Sequence, residues 1–338
     1  MHMVHALLFA AAAALAPSQI ATVISNAEKA FHDYVFPDVA AQTVAMLQRN
    51  VQRYEALSDP HAFVAAVNTD LRAATHDKHV HVFYPFEPQQ FASNNSPAAE
   101  AARHQGEVLS NFGFDGVRRL PGNVGYLAFS YFSQDVGVAQ AIQAAMAFLA
   151  NTDALIIDLR HNGGGSPTAA ETLEAYFFTH QQPITSIVWR DPKTGKITER
   201  QQYTAATVPG PLYVNKPIYL LTSGHTFSCA EQFTYDLHNL KRVRIIGETT
   251  GGGANPGEFH DIGLQFAIFI PDGRAYSPIT KTNWESTGIA PDVSVPAAQA
   301  LERGYVTTLH AVQAHETNKD VLDEVKQALA DPSKALTP

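Results

Sequence analysis

Apolar positions recur at helical spacing through the first quarter of the chain. Ala27, Phe31, Tyr34 and Val35 lie on one stripe, which Phe36-Pro37 interrupts. Asp38 can cap a second helix, in which Ala40, Val44, Leu47, Val51 and Tyr54 share a face. Ser58-Asp59-Pro60 is a cap followed by a first-turn proline, after which Phe63, Val67 and Leu71 continue on one side. The spacing predicts a small helical bundle over residues 18–84. Toward the end of that segment the period shortens. Val80-His81-Val82-Phe83-Tyr84 is β-branched and aromatic and predicts a strand, with His79 at its start. Residues 85–110 are polar, Ala-rich and poorly patterned, with a loop at Asn94-Asn95-Ser96-Pro97. They predict a boundary or a lid.

From about residue 112 strands and helices alternate. Val124 to Phe129 is a strand, and Val138, Ile142, Ala145 and Leu149 mark a helix. Ala154 to Leu159 is a nearly continuous apolar strand. It runs into His161-Asn162-Gly163-Gly164-Gly165 and then a helix from about Thr168 to Phe178. Pro217 to Leu221 repeats the plan, with a turn through Ser228 and a helix over Gln232 to Leu240. Val243 to Gly247 is a third apolar strand, ending at Thr249-Thr250-Gly251-Gly252-Gly253. Leu264, Phe266, Ile268 and Ile270 alternate as another strand, and residues 311–331 read as a closing surface helix. Buried strands joined by helices predict an α/β sheet with at least one covered face.

Composition narrows the function. A net charge of −9 and the absence of a Lys/Arg run argue against a nucleic-acid binder. The one cysteine, Cys229, excludes an intrachain disulfide and a multi-cysteine zinc site. At 338 residues the chain is long enough for one large domain with an accessory one, or for two domains. Ala6 to Ala16 has the length and texture of a signal-peptide core, with Ala14-Leu15-Ala16 as a cleavage box. The run reads either as a signal peptide within residues 1–17 or as a short Ala-rich helix, buried or exposed, and the expectation taken is a signal peptide and a periplasmic or secreted protein. The run is too short for an ordinary membrane span.

Three stretches carry candidate chemistry. In Thr226-Phe227-Ser228-Cys229-Ala230-Glu231, Ser228 sits where a strand has turned and a helix begins. That position suits a nucleophile, because the next amide lies at the positive end of the helix. Ser-x-x-Glu is equally a capping box, and taken alone the stretch favours the cap. The glycines at 163–165 either let backbone amides approach a ligand or merely supply positive φ. No Lys-Ser/Thr follows them, which excludes a Walker phosphate loop, and their spacing fails the dinucleotide fingerprint. Donation to an oxyanion is the better use of those amides. His76, His79 and His81 have three readings: a metal site, ordinary half-buried histidines, or a general base for Ser228. No HExxH pattern accompanies them, and no metal is expected.

Taken together, four ordered stretches resemble the peptidase core of the C-terminal processing (tail-specific) serine peptidase family. They are Leu155 to Gly165, Thr226 to Glu231, Ile246 to Gly253, and Gly288-Ile289-Ala290-Pro291-Asp292-Val293. The helical segment, with Tyr34-Val35-Phe36-Pro37 and Asp77-Lys78-His79, resembles the branch of the interphotoreceptor retinoid-binding protein modules. The resemblance implies a ClpP/crotonase-like ββα superhelix core. It implies Ser228 as nucleophile, with the amides of Gly164 and Cys229 as the oxyanion hole. It also exposes a departure. Tail-specific proteases place a lysine in a Gly-Lys-Gly loop, and the matching position here is Gly253. The related tricorn core protease instead uses an upstream histidine and a late glutamate. His79 and Glu285 fall at similar places, with Lys78 where tricorn carries a serine.

The resulting expectation is an α/β serine-type peptidase in which Ser228 attacks, His79 is the base and Glu285 supports the imidazole. The boundaries expected are a helical domain at 18–84, a peptidase core at 105–305 and a helical tail at 306–338. The substrate is a peptide or protein. No cofactor and no PDZ-like tether are expected, and no feature of the sequence sets an oligomeric state. The retinoid-binding branch implies an alternative, a non-catalytic module that binds an apolar small molecule or a peptide.

Overall fold

The computed structural model describes residues 14–86 and 96–337. Most of the Ala6–Ala16 run and the Asn94-Asn95 part of the expected loop lie outside these residues. The elements begin with three helices, α1 (Pro17–Ala30), α2 (Pro37–Glu55) and α3 (Pro60–Thr75). Each opens with proline, whose missing N–H is unneeded in a first turn. At α3 the Asp59 carboxylate also accepts from the His61 and Ala62 amides. A short strand β1 (His81–Phe83) and helix α4 (Pro97–Leu109) follow. Then come β2 (Phe114–Leu120), β3 (Val124–Phe129), α5 (Val138–Leu149), β4 (Ala154–Asp158) and α6 (Pro167–Ala175). They continue through β5 (Pro183–Arg190), β6 (Ile197–Tyr203), β7 (Ile218–Thr222), α7 (Cys229–Asn239) and β8 (Arg244–Gly247). The last are β9 (Gly257–Gly263), β10 (Phe266–Pro271), β11 (Gly273–Tyr276), β12 (Val293–Ser294), α8 (Ala297–His315), α9 (Lys319–Ala330) and α10 (Pro332–Leu336). None of the described helices is long and apolar enough to cross a membrane.

The chain forms two compact units. The first gathers the described part of residues 1–93 with 190–196 and 257–273. Its helices α1–α3 bury Ile20, Val23, Leu47, Phe63, Val67 and Leu71 against the antiparallel sheet β1-β10-β9, from which Phe266, Ile268 and Ile270 point inward. The alternation at Leu264–Ile270 predicted a strand correctly, but the expected core at 105–305 included it. The structure assigns residues 257–273 to the helical unit instead, because β10 pairs with β1.

The second unit is built on the six-stranded sheet β12-β8-β7-β4-β3-β2, parallel except for the β2–β3 pair. Both faces are covered, which explains the continuous apolar runs. Leu155, Ile157, Ile218 and Leu220 face α5, α6 and α7, where Met146, Leu173, Phe233 and Leu237 pack on them. Ala154, Ile156, Tyr219 and Leu221 face α8 and α9 through Tyr305, Leu309, Val312 and Val325. The boundary expected at residue 306 cuts through α8. That helix covers one face of the sheet and does not open a separate tail. A smaller sheet, β11-β5-β6, was not anticipated from the sequence. Helix α4 occupies what was read as an unpatterned stretch. It buries no residue, so no apolar stripe marks it.

Candidate active site

Strands β4, β7 and β8 are parallel neighbours, so their carboxyl ends lie on one edge of the sheet. Open α/β sheets present ligands at such an edge. Each of the three strands runs into one of the stretches singled out above: the glycine turn after β4, the Ser228 turn after β7, and the second glycine loop after β8.

Hydrogen bonds lace these loops together. Thr226 Oγ1 donates to Leu159 O (2.8 Å) and Ser223 Oγ to Arg160 O (2.6 Å). The Phe227 amide donates to Asn162 O (3.1 Å), and the Gly251 amide to Thr226 O (2.8 Å). Arg160 is itself held by Asp158, through Nε at 2.9 Å and Nη2 at 2.6 Å.

Ser228 stands at the start of α7 with φ 54° and ψ −121°. An ordinary capping residue has extended dihedrals. A non-glycine residue in this region costs about 1–3 kcal/mol and persists only where its surroundings enforce it. Its side chain makes no capping hydrogen bond. The local capping task falls instead to Glu231, whose carboxylate accepts from the Ser228 amide at 3.0 Å. Glu231 is fully buried and does more than cap. It also accepts from Thr250 Oγ1 and from the amides of Gly252 (2.6 Å) and Gly253 (2.8 Å). Burial pushes its carboxyl above the ordinary value, and these donors pull the other way. The sequence pattern showed only its capping half.

The glycine turn meets Ser228 directly. Gly164 has φ 106°, and a Cβ built there would lie 2.8 Å from Ser228 Cβ and 2.9 Å from the Cys229 amide nitrogen. Both a positive φ and a close approach therefore require glycine. The buried Asn162 holds the turn: its amide donates to Phe129 O (3.0 Å), and its Oδ1 accepts from the Gly164 amide (2.9 Å). The Cys229 amide opens α7 and has no carbonyl partner among the described residues. The Cys229 thiol is buried, and burial with Glu174 and Asp236 nearby keeps it well above its ordinary pKa. A buried thiol kept protonated is a poor nucleophile.

Glu285 belongs to the same unit. Its carboxylate accepts from the amides of Ala254 (2.6 Å), Asn255 (3.3 Å) and Ser286 (3.2 Å). Beside it, Trp284 Nε1 donates to Gly253 O at 2.8 Å. The loop that lacks the lysine is thus held by Glu231 on one side and by Trp284 and Glu285 on the other.

His79 lies in the first unit, between α3 and β1. Its amide donates to Asp77 Oδ1 (3.0 Å), and its ring packs 5.6 Å from that of Phe269. Burial lowers its pKa while the Asp77 charge opposes the shift, so the ring is neutral near pH 7. The other two histidines do local work. His76 closes α3 in a left-handed conformation, and His81 Nε2 meets Asn68 Nδ2 at 3.0 Å. The structure therefore brings Ser228, Cys229 and Gly164 into contact and ties Glu285 to the neighbouring loop, while His79 sits on the helical unit.

Residues 123–295 match the sequence profile of peptidase family S41. The chain belongs to that family. Residues 5–111 match the N-terminal domain of peptidase S41 in eukaryotic IRBP. This S41 chain is 23% identical over 216 residues to the carboxy-terminal processing protease CtpB of Bacillus subtilis, covering 62% of this chain and 42% of that one. It spans about two fifths of the length of the curated relatives it matches. Its fold is similar to that of the photosystem II D1 C-terminal processing protease (TM-score 0.51, 15% identity, 82% of this chain and 93% of that one). It is also similar to the tricorn protease (TM-score 0.52, 13% identity, 92% of this chain and 37% of that one). The mixed α/β architecture with a helical N-terminal region agrees with the expectation from sequence.

Proposed function

We propose that this S41 chain hydrolyses peptide bonds in protein or peptide substrates, with Ser228 as nucleophile and His79 as general base. The observation that carries the reading is the strained Ser228 turn, packed flush against Gly164 at the carboxyl edge of the sheet. A serine used only as a cap has no need of that conformation. Ser228 Oγ attacks the scissile carbonyl carbon and gives its proton to the neutral His79 ring. The tetrahedral oxyanion accepts from the Cys229 amide and from the glycine turn. The Gly164 amide, which donates to Asn162 Oδ1 in this structure, exchanges that bond for the oxyanion's. A donor already free to face the oxyanion is worth on the order of 3 kcal/mol, and the Gly164 amide contributes less because it gives up Asn162 Oδ1. His79 then returns the proton to the leaving amine as the carbon–nitrogen bond breaks, and water releases the acyl group by the reverse sequence. Glu285 is assigned to electrostatic support of the imidazole. Gly253 supplies no lysine, so the base must come from elsewhere.

A fluorophosphonate probe tests the reading. Wild-type protein should be labelled, Ser228→Ala should not, and His79→Ala should be labelled far more slowly. Because burial lowers the His79 pKa, the labelling rate should hold as pH falls through about 6.5, the ordinary histidine value, and decline only below it. Folded protein that resists labelling from pH 6 to 9 would overturn the peptidase reading and favour the non-catalytic module.

A further inference from the structure

A cavity of about 480 Å³ opens beside the glycine turn, wholly within the second unit. Gly165 and Ser166 form one end of it, and the segment from Ser133 to Ala139 and the start of α6 form its walls. Gly165 follows Gly164, where a built Cβ would lie 2.8 Å from Ser228 Cβ, so one end of the cavity is one residue along the chain from the proposed site of attack. Its floor is fixed by backbone bonds. The Phe132 amide donates to Gly164 O and the Ser166 amide to Phe132 O, both at 2.8 Å. Gly165 is exposed, and a Cβ built there would clash with Phe132 O.

The lining has one charged group. Asp135 stands among Ser133, Thr168, Thr172, Val136 and Val138, and no basic residue lines the cavity. Its carboxylate is held in place by the Gly137 amide (2.7 Å), and the half-exposed His104 ring approaches it at 2.9 Å. A carboxylate fixed by a backbone amide at the edge of a groove, with a half-exposed ring beside it, is complementary to a cation on a long flexible stem.

Resting on the peptidase reading, we infer that this cavity is a substrate subsite, and that Asp135 selects a lysine or arginine side chain close to the scissile bond. The aliphatic stem lies along Val136 and Val138, and the cationic head takes the place of His104 at Asp135.

The test is a set of fluorogenic peptides with lysine, arginine, alanine or glutamate at successive positions about the cleaved bond. Wild-type protein should prefer the basic peptides at one position. In Asp135→Asn, which keeps the oxygen facing the Gly137 amide, the ratio of kcat/KM for basic over alanine peptides should fall about tenfold. In His104→Ala, which uncovers the carboxylate, the same ratio should rise. Fluorophosphonate labelling run in parallel separates the two claims. Labelling without any basic preference, or with a ratio unmoved by both substitutions, overturns the subsite and leaves the peptidase reading standing. Absence of both labelling and cleavage overturns the two together.

Discussion

Two runs of three glycines follow parallel strands of the same sheet, and each is fastened by a buried side chain of a different kind. In the turn after β4 the fastener is the neutral amide of Asn162, which bonds Gly164 and Phe129. In the loop after β8 it is the carboxylate of Glu231, which bonds Gly252, Gly253 and Thr250. The glycines also serve different ends. Gly164 is required because Ser228 and Cys229 press against it, whereas Gly252 (φ 84°) packs on Gly288 and Ser286, in the Glu285 loop. One sequence texture thus does two jobs. The first turn packs against Ser228, the proposed nucleophile, and the second anchors the helix that begins at that residue.

Alanine at each glycine separates those jobs. Gly164→Ala forces a Cβ to within 2.8–2.9 Å of the Ser228 turn at a φ of 106°. Strain and overpacking should together cost about 3 kcal/mol. Displacing Ser228 should also slow fluorophosphonate labelling at least about a hundredfold. Gly252→Ala meets Gly288 N at 2.9 Å, also at positive φ, and should lower the unfolding temperature comparably. Its folded fraction should still be labelled. Equal losses of labelling in both variants would erase the distinction.

Reciprocal swaps of the fasteners should have the next largest effect. Glu231→Gln keeps the shape but turns an –NH2 toward amides that also donate. At least one buried donor then loses its acceptor, at about 1–3 kcal/mol. Labelling should slow, because the Ser228 amide shares that acceptor. Asn162→Asp keeps the acceptor for Gly164 but sets a carboxylate oxygen against Phe129 O in a fully buried site, so its urea midpoint should fall further. A smaller loss for Asn162→Asp than for Glu231→Gln would reverse the ranking of the two fasteners.

The same contrast explains what was legible in the sequence. Strands β4 and β7 stood out because both faces are covered, and α1–α3 because each buries one stripe. Helix α4 was invisible because it buries nothing, although Ser96-Pro97 is a start signal and the Ser96 hydroxyl accepts from the Ala99 amide. The alternation in β10 marks a strand but cannot name its partner, which is why residues 257–273 were placed in the wrong unit. Ser228, Gly164 and Cys229 were singled out by their order along the chain, and parallel neighbours explain why that order converges in space. Glu231 was half read. A Ser-x-x-Glu pattern reports a local bond, whereas its bonds to Gly252 and Gly253 span more than twenty residues.

Buried carboxylates in this unit divide as the fasteners do. Glu231 is surrounded by donors, but on the α6 side of α7 neither oxygen of the fully buried Glu174 has a partner among the described residues. Asp236 accepts from the Thr185 amide and hydroxyl through Oδ1 alone. Burial pushes Asp236 up to about 7, and burial with Asp236 nearby pushes Glu174 well above the ordinary value. Both folded-state pKa values are raised, so in the intermediate range the folded protein holds protons that the unfolded chain has released. The stability Asp236 contributes is full below about pH 4, near the unfolded carboxyl values, and is lost as pH rises through about 7, and Glu174 acts in the same direction. His79 acts oppositely. Its lowered pKa means that the unfolded chain takes up the proton first, so its contribution falls as pH drops below about 6.5. Wild type alone therefore mixes two slopes, and the informative quantity is its difference from Asp236→Asn. That variant should exceed wild type in stability by more at pH 8 than at pH 5, by urea unfolding followed at both values. A gap that stays constant across the range would mean that Asp236 keeps its charge throughout, and that burial in this unit tolerates a carboxylate with half its oxygens unpaired.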